Sequence, residues 1–284
     1  MITWLASYPK SGNTWLRALL TTYFYSRDGN FNFDLMSKIY QFPEKVFFKN
    51  YSKNFSGISD TAEYWIDAQK NINKDGNFKI FKTHNAFLKV NNYNFTDNNN
   101  TNGCIYIVRD PRNVITSVMN HYEHDHREAL DLMLNDKGLL LHKEGDQFFR
   151  FQLLSSWQNH YRSWVNTNMF PILTVKYEDL NLKPMEVMEQ VVNFLIKVGS
   201  LKATFDKEKA KKSIKTCEFE KLKKKEEEEG FKESPIGQKS GKKKKFFNLG
   251  KDNNWKKILP QNIKEEMNNI FKKDLKYWGY EYND

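Results

Sequence analysis

The sequence predicts a single α/β domain built on a central parallel sheet flanked by helices. Three observations carry that reading. Short apolar segments at 2–8, 78–82, 103–109 and 172–177 alternate with helical patterns, which implies a parallel sheet with right-handed crossovers. The run Cys104 to Val108 is continuously apolar, as a strand buried on both faces should be. Motif-like segments run from residue 8 to residue 256 of 284, which favours one large domain over two small ones.

Each element has a local cause. Strand 2–8 breaks at Pro9 and Gly12, and helix 14–26 follows with Leu16, Leu19, Leu20 and Tyr23 on one face. An irregular stretch at 28–60 leads to a helix near 60–72. The alternation F-K-I-F-K makes strand 78–82, and the Asn-rich loop 91–102 separates it from strand 103–109. Asp110 then Pro111 is the order of N-cap and first helical residue, so helix 111–123 begins there. From Asp146 to Val165, the residues Phe148, Phe149, Leu153, Ser156, Trp157 and Tyr161 stand in helical order. Strand 172–177, helix 184–197, short helices across 206–229, a flexible loop 230–250 and a final helix 260–277 complete the chain.

The first turn reads Y-P-K-S-G-N-T-W from Tyr8 to Trp15. A strand that turns sharply into a helix aims unsatisfied N–H groups at one point, and the helix dipole adds partial positive charge. Lys10 brings a full charge to the same place. The Walker A order is absent, because the lysine precedes the glycine. The bland alternative is a βα turn with a solvated lysine.

Read whole, the octet resembles the 5′-phosphosulfate loop of the sulfotransferases that use 3′-phosphoadenosine 5′-phosphosulfate (PAPS), whose pattern is Y-P-K-S-G-T-T-W. Asn13 stands where that family usually has threonine, and its amide can donate to a phosphate oxygen. Two more motifs follow in order. Lys82-Thr83-His84 ends a strand, where ligands of open α/β sheets sit. The resemblance makes His84 the catalytic base and Lys82 a second contact to the sulfuryl group beside Lys10. In G-C-I-Y-I-V-R-D-P-R-N-V-I-T-S, Arg109 and Ser117 match the pair that holds the 3′-phosphate, and a guanidinium fork suits that dianion.

The resemblance extends further in weaker form. It assigns cofactor contacts to Lys10, Ser11, Gly12, Asn13, Thr14 and Trp15, with Trp15 and Tyr177 at the adenine. The family's T-S-F appears as T-C-E-F, so Thr216 or, one residue on, Cys217 faces the base, with plain packing of the 206–229 helices the other reading of these two. Phe246 to Lys256 resembles the late loop F-x-R-K-G-x-x-G-D-W-K. Gly250, Trp255 and Lys256 fit, whereas Asn248-Leu249 and Asn253-Asn254 depart from it. Lys242 to Lys245 lie just upstream and either supply the missing charge or form a solvated run. The family's dimer segment K-x-x-x-T-V-x-x-x-E keeps Lys256 and Glu265 but carries Pro260-Gln261 at its centre, which predicts a monomer or a dimer formed elsewhere than 256–265.

Composition is compatible with this. Aromatics make up 15% of the chain, enough for a core. No apolar run approaches the roughly 18 residues of a membrane span, and no basic leader with a cleavage site is visible. Two cysteines, Cys104 and Cys217, offer no disulfide framework, so a reducing, cytoplasmic setting is expected. From residue 197 onward, 24 lysines face 15 acids without an arginine, which is +9 of the total +10. Glu226 to Glu229 interrupt the basic stripe and aromatics are not interleaved, so nucleic acid is not the expected partner. His121, His124 and His126 lack a further fixed ligand for a metal.

The resemblance therefore implies a P-loop nucleoside-triphosphate-hydrolase-like fold and in-line sulfuryl transfer from PAPS, releasing PAP, to an acceptor hydroxyl or amine. The acceptor class is a small molecule, lipid or carbohydrate. Alternatives are a catalytically silent relative that binds PAP, or a kinase-like P-loop protein, which would need a Mg²⁺ site that is not legible.

Overall fold

The computed structural model describes residues 1–51, 55, 57–144, 147–237 and 239–280. Its strands are β1 (Ile2–Ser7), β2 (Tyr40–Gln41), β3 (Lys79–Thr83), β4 (Thr101–Val108), β5 (Leu139–Glu144), β6 (Gln147–Leu153) and β7 (Ile172–Lys176). Five of them form a parallel sheet in the order β2-β3-β1-β4-β7, and β5 pairs antiparallel with β6. Helices cover both faces, as the sequence predicts.

Strand alternation explains the two covered faces. On β1, Trp4 and Ala6 join one apolar cluster with Phe42, Phe81, Phe95, Trp65 and Trp164. Leu5 points the other way, into a cluster with Leu16, Leu19, Ile105, Ile107 and Val175. Helix α1 (Asn13–Tyr25) supplies Leu16, Leu19, Leu20 and Tyr23 to that second layer.

The register sets the site. Ala6 lies opposite Thr83, Ser7 opposite Ile107, and Val108 opposite Lys176. Four strands therefore end at one level, and the residues just beyond them (Tyr8, His84, Arg109 and Tyr177) emerge along a single edge. That edge is the carboxyl end of a parallel sheet, where such folds bind ligands.

Three expectations are corrected. The stretch 28–60 is not wholly irregular, since it contains the two-residue edge strand β2 and short 3₁₀ turns at Phe33–Lys38 and Lys45–Phe48. The helix read across 146–165 begins only at Trp157, after the β5–β6 hairpin, with Asp146 outside the described residues. Phe149, Phe151 and Leu153 also alternate, and pairing with β5 selects the period of two. Leu153 N–H donates to Asn85 Oδ1 at 2.8 Å, and its carbonyl accepts from Ala86 N–H at 2.7 Å. The hairpin thus buttresses the segment that carries His84. Finally, the last helix is two, Gln261–Ile270 and Lys272–Trp278, broken at buried Phe271.

Candidate active site

The first loop is shaped by two residues in the left-handed region, Lys10 at φ 66° and Gly12 at φ 100°. Gly12 is required twice. Its φ disfavours any side chain, and an added Cβ would lie 2.4 Å from the Tyr177 ring. The turn delivers the N–H groups that open α1 to the sheet edge. Ser11 Oγ is buried there with no partner. Thr14 is buried as well.

Asn13 behaves differently from expectation. Its amide donates to Leu5 O at 3.0 Å and Ser7 Oγ at 3.2 Å, so it braces the loop from beneath instead of facing an anion. A backbone carbonyl needs a donor, which decides the direction of that amide.

The Lys10 ammonium lies 3.1 Å from His121 Nδ1 and 4.4 Å from the centre of the Phe246 ring. Burial, then the nearby charges of Arg109 and Lys82, pull its pKa down to about 7. His121 is pulled down to about 2, by burial first and Lys10 second, so it accepts from the ammonium as a neutral ring.

Arg109 leaves β4 and turns back over the loop. One guanidinium N–H donates to Lys10 O at 3.0 Å, the same nitrogen reaches Ser117 Oγ at 3.3 Å, and the plane lies 4.1 Å over Tyr177. Its Nε is buried without a partner. Arg109 and Ser117 are thus brought together, as the resemblance implies. Asp110 caps the 111–122 helix at Arg112 N–H, 2.9 Å away, and holds the Arg112 side chain.

His84 Nδ1 lies 2.8 Å from Ser7 O. A carbonyl can only accept, so Nδ1 carries the hydrogen and Nε2 keeps its lone pair. Burial and then Lys82 hold the His84 pKa well below the ordinary value. His160 donates from Nε2 to His84 O at 3.1 Å while its Nδ1 accepts from Tyr106 OH at 2.8 Å, which fixes the backbone under the ring. Lys82 is buried, and burial lowers its pKa to about 8.

Trp15 stands edge-on to Tyr177 at 5.9 Å and donates its indole N–H to Cys217 O at 2.8 Å. The Thr216 hydroxyl is engaged elsewhere, with Gly29 O at 3.0 Å. It is therefore the Cys217 carbonyl that lies at the edge of Trp15.

The late loop arrives by a different route. Gly250, at φ 53°, packs so closely on Phe219 that a Cβ would lie 2.4 Å from the ring. Asn253 then reaches the Arg109 side of the site, where its amide donates to Ser117 Oγ at 3.0 Å and to Asn113 O at 2.9 Å. Sequence reasoning missed this residue because it occupies a position where the family pattern fails. Lys244 and Lys245 pair with Glu123 and Glu227, so these two lysines of the run are engaged by acids. Glu226 and Glu233 were also missed as site residues, since most of their contacts lie 20 or more residues away in sequence.

The fold is a P-loop-like parallel α/β sheet, and one edge of it gathers a tight loop, a neutral imidazole and the lysines Lys10 and Lys82. The sulfotransferase domain profile matches residues 2–279, so the chain belongs to the sulfotransferase family. No curated protein matches the sequence. Among solved structures it resembles retinol dehydratase in complex with retinol and PAP, at a TM-score of 0.61 and 15% identity over 97% of this chain and 81% of that one. Retinol dehydratase with androsterone and inactive cofactor PAP gives a TM-score of 0.55 at 14% identity, covering 97% and 80%. Mouse sulfotransferase SULT7A1 complexed with PAP gives 0.52 at 14%, covering 96% and 84%. At such identities the likeness is one of fold. No helix among the described residues is long and apolar enough to cross a membrane.

Proposed function

We propose that this sulfotransferase moves a sulfuryl group from PAPS to a hydroxyl or amine of a small-molecule, lipid or carbohydrate acceptor, with His84 as general base. The observation that carries the reading is the His84 ring, whose Nδ1–H is held by Ser7 O at 2.8 Å, leaving the Nε2 lone pair free near the buried Lys82, whose charge acts on the ring. A general base must be neutral at working pH and within reach of the acceptor proton. The low pKa and the partial exposure of His84 support both conditions.

The residues present fit the nucleotide. Ser11 Oγ and Arg109 Nε are buried donors without partners, and the Lys10 ammonium sits in a desolvated place that an anion would stabilise. Bound PAPS would supply an activated sulfuryl group on a phosphosulfate anhydride. Lys10, Ser11, Gly12, Asn13 and Thr14 form the cradle for its 5′ end, with Asn13 acting through the backbone. Arg109 and Ser117 take the 3′-phosphate, assisted by Asn253 and by the turn at Gly250. Trp15 and Tyr177 bracket the adenine, with Thr216 ending the helix that presents the Cys217 carbonyl. His84 Nε2 takes the acceptor proton, while Lys10 and Lys82 hold negative charge on the transferring side, where positioned cations supply most of the catalysis.

The test is transfer of labelled sulfuryl from PAPS to mixed alcohols, phenols, amines, lipids and sugars, with products identified by mass spectrometry. Retinol and androsterone, which the structural neighbours hold, belong in the first panel. Sulfated product is expected. Tight PAP binding without transfer to any class would mark a silent relative and overturn the enzymatic reading, and transfer from ATP instead would mark a kinase.

A further inference from the structure

Lys82 lies in the last pair of residues of β3, two residues before His84, buried, with its counter-charge coming from a distant part of the chain. Glu233, in the segment after the Phe219–Glu229 helix, places Oε2 3.3 Å from Lys82 Nζ. Its other oxygen, Oε1, accepts from Arg17, a side chain of α1 that is 3% exposed. One carboxylate therefore bridges two buried cations from two elements of the core. The other charged or titratable groups that act on Lys82, or on which it acts, are Lys10 in the first loop, Arg150 on β6, and the imidazoles of His84 and His121. None of these is negative. Arg150 is itself paired with Glu44.

We propose that Glu233 is a positioning residue, which keeps Lys82 protonated and aimed at the site while Arg17 fixes the carboxylate's second oxygen. The inference rests on the reading of Lys82 as a sulfuryl contact. Its physical reason is the balance of opposing effects on a buried ammonium. Burial drives Lys82 toward the neutral form, Glu233 opposes this, and Arg17 adds to it. Removal of the carboxylate alone leaves Lys82 facing a positive neighbour. A neutral lysine holds a sulfuryl oxygen only by a weaker, uncharged hydrogen bond and brings no positive charge to the developing negative charge.

The experiment follows the Lys82 ammonium directly, by ¹⁵N NMR of the full chain carrying side-chain-labelled lysine. Its resonance is identified by its loss in Lys82→Arg. Glu233→Gln should lower the titration midpoint by about one unit or more. The basic limb of the kcat profile should move down with it, giving a roughly tenfold loss of kcat above both midpoints. Lys82→Arg placed in the Glu233→Gln background should recover part of that loss, because a guanidinium stays charged. Arg17→Met should move the midpoint the other way, upward, since Glu233 then serves Lys82 alone. Structural loosening would not separate these two signs. An unmoved midpoint in a folded Glu233→Gln variant overturns the proposal. If that variant does not fold, a midpoint in Arg17→Met that falls or stays still overturns it equally. A midpoint that falls while the kcat limb stays in place supports the hold of Glu233 on the charge and overturns Lys82 as a sulfuryl contact, so the two ideas fail separately.

Discussion

The sheet edge and the segment 231–254 face each other across the same site, yet they are built by opposite means. At the edge, the groups stand one or two residues beyond strands whose register is set by backbone pairing: Tyr8 after β1, His84 after β3, Arg109 after β4, Tyr177 after β7. The later segment has little ladder of its own beyond the bridge between Ile236 and Lys243. It is held instead by carboxylates. Glu226 accepts from the N–H groups of Phe246 and Phe247 at 2.7 and 2.9 Å and from the Ser234 hydroxyl. Glu233 binds Arg17 and Lys82, and Glu123 takes Ser240 and Lys244. The segment expected to be a flexible loop is thus a strap latched over Lys10 by its Phe246 ring. A region that backbone pairing positions can lose a side chain and keep its shape, whereas a region positioned by side chains cannot.

Substitutions at the edge should therefore change chemistry and leave the fold intact. The largest effect is expected for His84→Ala, with kcat down by about 10²–10⁴-fold and nucleotide affinity nearly unchanged, measured by steady-state transfer and PAP titration. Loss of PAP binding with retained turnover at saturation would remove His84 as the base.

Lys10→Ala should lower kcat by about 10²-fold, the scale of losing one preorganised charge contact. It also carries a pH signature. The free protein loses the Lys10 charge as pH rises through about 7, while a bound anion favours the charged form. Binding therefore takes up a proton, so PAP affinity should weaken as pH rises above 7, and this slope should flatten in Lys10→Ala. The same depressed value means that the unfolded chain binds more protons between pH 7 and the ordinary lysine range. Lys10 should then contribute a rise in stability with pH across that window when no anion is bound. Equal pH slopes of PAP affinity in wild type and Lys10→Ala would contradict the placement of this charge.

For Arg109→Ala the expected loss is about 1.5–3 kcal/mol of nucleotide affinity. The variant should also lose the preference for a nucleotide bearing a 3′-phosphate, read by competition between PAP and adenosine 5′-phosphate. Retained discrimination would assign the 3′-phosphate to other groups.

The strap should respond in the opposite sense. Glu226→Gln removes a buried carboxylate that three donors share, which costs about 1–3 kcal/mol of local order. Limited proteolysis should then cut within 231–247, while amide exchange of α1 stays as in wild type. Cleavage spread over the whole chain would mean that strap and edge are one cooperative unit.

The smallest effect concerns assembly. Pro260 N-caps the Gln261–Ile270 helix, and Gln261 donates to Glu265 at 2.9 Å, so those side chains satisfy each other within one chain. We expect sedimentation to show no dimer through 256–265, and Pro260→Thr/Gln261→Val to be needed before one appears there. A wild-type dimer disrupted by Glu265→Ala would refute this.

Much of the edge was legible because it depends on short-range rules. The turn from β1 into α1, the Asp110-Pro111 helix start and the eight-residue step from Arg109 to Ser117 are all local. The hairpin at 139–153 was not, because its residues satisfy both periods until a partner strand decides. Asn13 shows the same limit at one side chain: its identity was plain, but the direction of its amide depended on Leu5 O and Ser7 Oγ beneath it.

By itself, the sequence determined the parallel α/β class, the tight turn at Tyr8 to Trp15, the ends of the strands that carry His84 and Arg109, and the family resemblance. The first three follow from periodicity and turn chemistry, which act over a few residues, and the last from the matching motifs. Only the tertiary structure decided that Nε2 is the free nitrogen of His84, that Asn253 reaches Ser117, and that Glu233 lies between Arg17 and Lys82. Each of those depends on a hydrogen bond or an ion pair between residues 77 to 216 positions apart. Such contacts form only where a packed core has already brought distant backbone together, and no local pattern encodes them.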